Sequence, residues 1–322
     1  MMEVLVLLEF NMNIKSLTYE DVYLVPKYSE LETRQDADTS IKLGEHTFRL
    51  PILPSNMKTV IDEVWAEWLS KNGFFYMMHR FDNVTVPFVK SANEKNFNII
   101  SINTGVNDDS YQELLNIHYN NWRVDYITVD VAHGHHIKVK NRIEEIRKIF
   151  PNVFIIAGNV TTAEGVEFLE SFGADATKVG IGPGKACTTK YQTGFHVPIF
   201  SAIMECASVA KKPILADGGV SHYGDIAKAL TAGASFVMAG AMFASCSDSP
   251  APMVNGRKVY YGSASKHNKG HDNHIEGTLL ELETQISLEE RIKEITQALQ
   301  SSISYAGGTD LSCFQGVSYV TI

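Results

Sequence analysis

Short apolar, β-branched runs recur along this chain, each followed by a stretch whose apolar residues repeat at helical spacing. Eight runs can be counted: PILPSNM from Pro51, FFYMMHR from Phe74, NIISINTG from Asn98, DYITVDVAHG from Asp125, VFIIAGNV from Val153, ATKVGIG from Ala176, PILADGG from Pro213 and FVMAGAM from Phe236. Each is only a few residues long and bounded by turn-forming residues, so each reads as a strand. Asp62 to Lys71, Val139 to Phe150, Ala163 to Phe172 and Tyr223 to Ala232 read as helices between them. Such crossovers are long enough to return the chain for parallel pairing.

Eight strand and helix units predict an α/β fold of the TIM (β/α)8 barrel type, rather than an open doubly wound sheet. No GxGxxG fingerprint follows the first run, which weakens a Rossmann reading. A barrel carries its site at the C-terminal strand ends, where the unusual residues of this chain fall: Asn56, His79, Asn103, Asp130, Asn159, Gly182, Asp217 and Gly240. The polar stretch from about Asn255 to Glu283, after the eighth run, reads as a flap over that end.

Composition narrows the function. A net charge of -9 over 322 residues argues against a nucleic-acid binder, while backbone amides can still hold small anions. The four cysteines (Cys187, Cys206, Cys246, Cys313) form no CxxC pair and no metal-ligand spacing, which fits a reducing, cytoplasmic setting. The apolar start MMEVLVLLEF carries Glu3 and Glu9 and is too short to span a bilayer, so residues 1–12 read as an extension before a barrel domain of 13–322.

Chemistry concentrates in GIGPGKACTTK, Gly180 to Lys190. Its glycines and proline let the backbone turn toward a ligand, and hydroxyls adjoin Cys187, which suits a thiol nucleophile. A buried, inert thiol is the alternative. The loops ADGG and MAGAM after the last two runs fit a phosphate site, through Gly218, Gly219, Gly240 and Ala241, unless those glycines merely serve tight turns. Asp217 suits a ribose diol or a helix cap. His133, His135 and His136 invite a metal reading, but they lack a carboxylate at a familiar spacing and a polar loop explains them equally well. The same holds for His267, His271 and His274.

Taken together, LTYEDVYLVPKYSELETRQDADTS, PSNMKTV, GIGPGKACTTK, ADGG and LQSSISYAGGTDL resemble signatures of the IMP dehydrogenase and GMP reductase family, from about Leu17 to the end. Dehydrogenases of that family usually carry inserted CBS modules and a cysteine loop reading SICIT; this chain has neither and looks like the reductase branch, in its second bacterial type. The resemblance implies reductive deamination of GMP to IMP with NADPH, through a thioimidate on Cys187. A dehydrogenase without CBS modules and a non-catalytic nucleotide-binding barrel are the competing readings.

By motif, the proton partners implied are Thr189 and Glu281, the latter counted back from SSISYAGG with Glu276 and Glu283 as rivals. Asp217 falls to ribose, Gly218, Gly219, Gly240 and Ala241 to phosphate, and Gly262 and Ser263 to the base. Ser263 and Ala264 depart from the GMSS that reductases often show. Asp130, Val131 and Ala132, with Gly180 and Ile181, match the cofactor side, and Arg34 and Arg80 suit a dinucleotide's phosphates. Carbonyls of Gly182, Gly184 and Cys187 match a potassium site. A homotetramer is the assembly implied.

Overall fold

The structure is a computed structural model that describes residues 16–322; the expected extension at 1–12 lies outside them. Seven of the eight apolar runs form one parallel sheet, in the order Ile52–Pro54, Phe236–Ala239, Ile214–Asp217, Ala176–Val179, Phe154–Val160, Tyr126–Asp130 and Ser101–Thr104. Chain neighbours lie side by side from Ser101 to Ala239, and the first strand closes on the last through Ile52 opposite Val237. Helices between the strands give an α/β barrel-like sheet.

The remaining run, second along the chain, departs from expectation. Phe74 to Arg80 adds no regular strand and joins the sheet through a single parallel bridge, Met78 opposite Ile102. Side chains hold it instead: the Tyr76 hydroxyl donates to the Ile99 carbonyl at 2.9 Å, and Phe74 to Met78 are all buried. A continuous apolar run signals burial, and burial does not require a ladder of hydrogen bonds.

Several helices begin where a side chain accepts one of their first amides. Asp62 caps Glu63–Lys71, Asn107 caps Asp108–Tyr119, Thr162 caps Ala163–Ser171, and Ser287 with Glu290 forms a capping box on Leu288–Tyr305. At the N-terminal end of the sheet, a hairpin of Ile41–Leu43 and His46–Phe48 lays Phe48 against Phe75, with ring centroids 5.0 Å apart. Phe75 in turn meets Tyr126 at 4.9 Å and Phe236 at 5.7 Å, both first residues of their strands. Aromatic packing therefore plugs that end, and polar chemistry is left to the other.

His79, near the close of the second run, is 7% exposed and accepts the Phe81 amide on Nδ1. Burial pushes its pKa down to about 4, so the folded chain keeps the ring neutral where the unfolded chain protonates it near 6.5. The unfolded state thus binds the extra proton, and stability is lost as pH falls from about 6.5 toward 4, by up to roughly 3 kcal/mol. His79→Gln is expected to flatten that window in urea titrations at stepped pH; an unchanged slope contradicts this account.

Candidate active site

The loop after Ala176–Val179 runs so close to its neighbour that a side chain at Gly180 has no room: an added Cβ would lie 2.4 Å from the Asp217 carbonyl. Gly180 and Gly182 hold φ of 140° and 86°, which lets the loop turn back across the strand ends. It closes with Cys187 N–H donating to Gly184 O at 3.0 Å. Cys187 Sγ then stands 3.2 Å from Thr189 Oγ1, and Thr189 Oγ1 donates to Glu276 Oε2 at 2.8 Å. A thiol, a hydroxyl and a carboxylate form one line along which a proton can pass.

Glu276, not Glu281, therefore occupies the third position. Its segment is stitched to the cysteine loop by main chain: Thr188 N–H donates to Glu276 O at 2.8 Å, Thr278 N–H to Ala186 O at 2.9 Å, and Cys187 pairs with Gly277. Gly277 and Gly262 cross where a Cβ on either would come within 3.2 Å of the other's Cα. Glu281 lies beyond the turn on Leu279–Glu283, 55% exposed, with Oε2 3.9 Å from Arg257 Nε. The polar stretch expected to be a flap is bounded by strands: Met253–Val254, Arg257–Tyr261 and Leu279–Glu283 form an antiparallel sheet.

The other thiols cannot substitute for Cys187. Burial pushes the Cys206 thiol up to about 12 and those of Cys246 and Cys313 up to about 11. They stay protonated at neutral pH.

Beside the loop lies a charged cluster. Lys178 Nζ, on a side chain 1% exposed, sits 2.7 Å from Asp130 Oδ1 and 3.1 Å from Asp217 Oδ2. Asn56 Nδ2 donates to Asp130 Oδ2, and Asn159 Nδ2 to Asp217 Oδ2, each at 2.8 Å. Burial alone would raise the Asp130 carboxyl, but the Lys178 ammonium and Arg80 guanidinium hold it below its ordinary value. Asp217 Oδ1 accepts nothing from the described residues and is free for a ligand hydroxyl.

The expected anion loops are part open. The Gly218 amide donates to Met238 O at 3.2 Å and is committed, whereas those of Gly219, Gly240 and Ala241 have no partner among the described residues. Gly240 carries a steric demand too, since a Cβ there would lie 2.3 Å from Tyr260 Oη. Gly240→Ala is therefore expected to cost roughly 1–3 kcal/mol by overpacking. Calorimetry checks it: a midpoint lowered by a few degrees agrees, and an unchanged one does not.

These features line one cavity of about 640 Å³, within the roughly 300–1,000 Å³ of small-molecule sites. Every residue given a role by motif lines it except Arg34 and Glu281, and of the strand-end residues His79 and Asn103 do not line it. Arg34 stacks on the Tyr305 ring, 5.2 Å from its centroid, and donates to Ser301 Oγ and Tyr305 Oη. A motif position alone does not carry it to the cavity. The histidines do not converge: His136 caps Ile137–Ile149, His135 packs on Phe168, and no metal-holding group of three His, Cys, Asp or Glu occurs among the described residues. Sequence reasoning missed Lys178, whose signal was a lysine inside the otherwise apolar ATKVG.

The sequence resembles known proteins along its length. The family model for the IMP dehydrogenase / GMP reductase domain matches residues 16–321. A GMP reductase of Staphylococcus saprophyticus is 46% identical over 316 residues, 96% of each chain, and one of Streptococcus gordonii is 48% identical over 311 residues, 94% of each. A GMP reductase of Enterococcus faecalis is 45% identical over 316 residues, 96% of this chain and 97% of its own. No described helix is long and apolar enough to cross a membrane. With the likeness running through both the cysteine loop and the segment that brings Glu276 to it, the chain belongs to the IMP dehydrogenase/GMP reductase family.

Proposed function

We propose that this chain reduces GMP to IMP and ammonia with NADPH. The observation that carries the reading is the Cys187, Thr189 and Glu276 line, with its 3.2 Å and 2.8 Å links. Purine carbon 2 bears an amine, a poor leaving group that must be protonated to depart. Thiol addition at carbon 2 sends the Cys187 proton through Thr189 to Glu276. The same path returns it to the amine, which leaves as ammonia. A thioimidate then joins Cys187 to carbon 2; hydride adds there, the carbon–sulfur bond breaks, and IMP and thiolate are released.

The cavity lining supports the remaining contacts. Open amides at Gly219, Gly240 and Ala241 suit the phosphate, Asp217 Oδ1 the ribose, and Gly262 and Ser263 the base. NADPH supplies the hydride when bound. The arm that would hold it is Asp130 to Ala132 with Gly180, Ile181 and Arg80, and it fits a polyanion: Arg80 Nε is buried there with no partner. Carbonyls of Gly182, Gly184 and Cys187 are hard donors suited to potassium. Family likeness supports a homotetramer.

The test pairs two mixtures, GMP with NADPH and IMP with NAD, followed by fluorescence of the reduced nicotinamide (NADPH consumed in the first, NADH formed in the second) and by ammonia release. Consumption of NADPH with one ammonia per turnover is the expected outcome. Turnover only in the second mixture identifies a dehydrogenase instead, and GMP binding without turnover in either identifies a binding protein.

A further inference from the structure

One charged group in the site has no part in the chemistry just derived. Lys178 lies mid-strand, and the register explains how it reaches both sides of the cavity. Gly158 stands opposite Asp130 on one neighbour and opposite Lys178 on the other. A Cβ on Gly158 would lie 2.5 Å from Lys178 Cβ, so glycine alone lets the lysine cross toward Asp130. On the other side Lys178 pairs with Leu215, two residues before Asp217 on the same face.

We propose that Lys178 is a positioning residue whose single ammonium holds the GMP-facing Asp217 and the cofactor-facing Asp130 at a fixed separation. The inference deepens the GMP reductase reading and rests on it. A buried cation needs compensation, and it has two carboxylates, each steadied from outside by an asparagine. Asp130 engages both oxygens in this cluster, so it anchors the loop that begins at Val131. Asp217 has both donors on Oδ2, which leaves Oδ1 aimed at the nucleotide by the lysine on its other oxygen. Substrate and cofactor are thus aligned through one atom, Lys178 Nζ.

The experiment is a steady-state series on the full chain: native protein, Lys178→Met, Lys178→Arg, Asp217→Asn and the double Lys178→Met/Asp217→Asn. Thermal melts run alongside. Lys178→Met is expected to raise KM for both GMP and NADPH by roughly 10- to 100-fold, the scale of a charged hydrogen bond, with a smaller change in kcat. Lys178→Arg keeps the cation but not its geometry and raises both KM values by roughly threefold or more. The double variant is expected to show the same KM for GMP as Asp217→Asn alone, because the lysine acts through that carboxylate.

Should Lys178→Met fail to fold, the arginine variant and the double variant decide the matter. A lowered melting temperature with both KM values within twofold of native makes Lys178 merely structural and overturns the inference, as does a double variant whose losses add. In those cases native turnover leaves the reductase reading standing. A native protein that turns over no GMP with NADPH overturns that reading first, and this inference with it.

Discussion

Cys187→Ala is expected to lower kcat for GMP reduction by at least about 10⁴-fold, since it deletes the atom that bonds to the substrate. GMP affinity should stay within about threefold, because the open amides, Asp217 and the Gly262 region are untouched. No other thiol can replace it: Cys206 and Cys246 are fully buried, and all three remaining thiols have raised pKa values. NADPH oxidation measures the first quantity and titration calorimetry the second. Near-native turnover in this variant removes the covalent route.

The second large effect separates two glutamates five positions apart. Glu276→Gln keeps the shape but removes the acceptor for the Thr189 proton, and kcat is expected to fall by roughly 10²- to 10⁴-fold with little change in KM for GMP. Glu281→Gln removes half of a 3.9 Å exposed pair with Arg257 and should leave kcat within about twofold. Steady-state rates of the two variants decide it. The reverse ranking would return the proton role to Glu281.

That contrast shows where the sequence was legible. Strand ends, the glycine-rich cysteine loop and the Thr189 hydroxyl are short-range features, and propensity with spacing reaches them. Glu276 reaches Thr189 only because a main-chain seam at Gly277 turns the excursion onto the cysteine loop, 87 residues away along the chain. Counting back from the last helix cannot see such a turn. Arg34 lies outside the cavity for a related reason, since its motif neighbours do not reveal that it stacks on Tyr305.

Lys178 differs again. A lysine inside apolar ATKVG marks the position, but its partners do not show in the sequence, since only the register of three strands brings two carboxylates to it. The Phe74 to Arg80 run was overread in the opposite sense, because buried apolar sequence looks the same in a ladder strand and in an extended segment held by side chains.

The covalent step can be read directly. The enzyme is quenched during turnover of GMP with NADPH, and its intact mass and peptide map are recorded. The account expects a gain equal to GMP less ammonia on the peptide that holds Cys187, absent from Cys187→Ala. An unlabelled Cys187 in fully active native enzyme, together with ammonia release from GMP by Cys187→Ala, would contradict it.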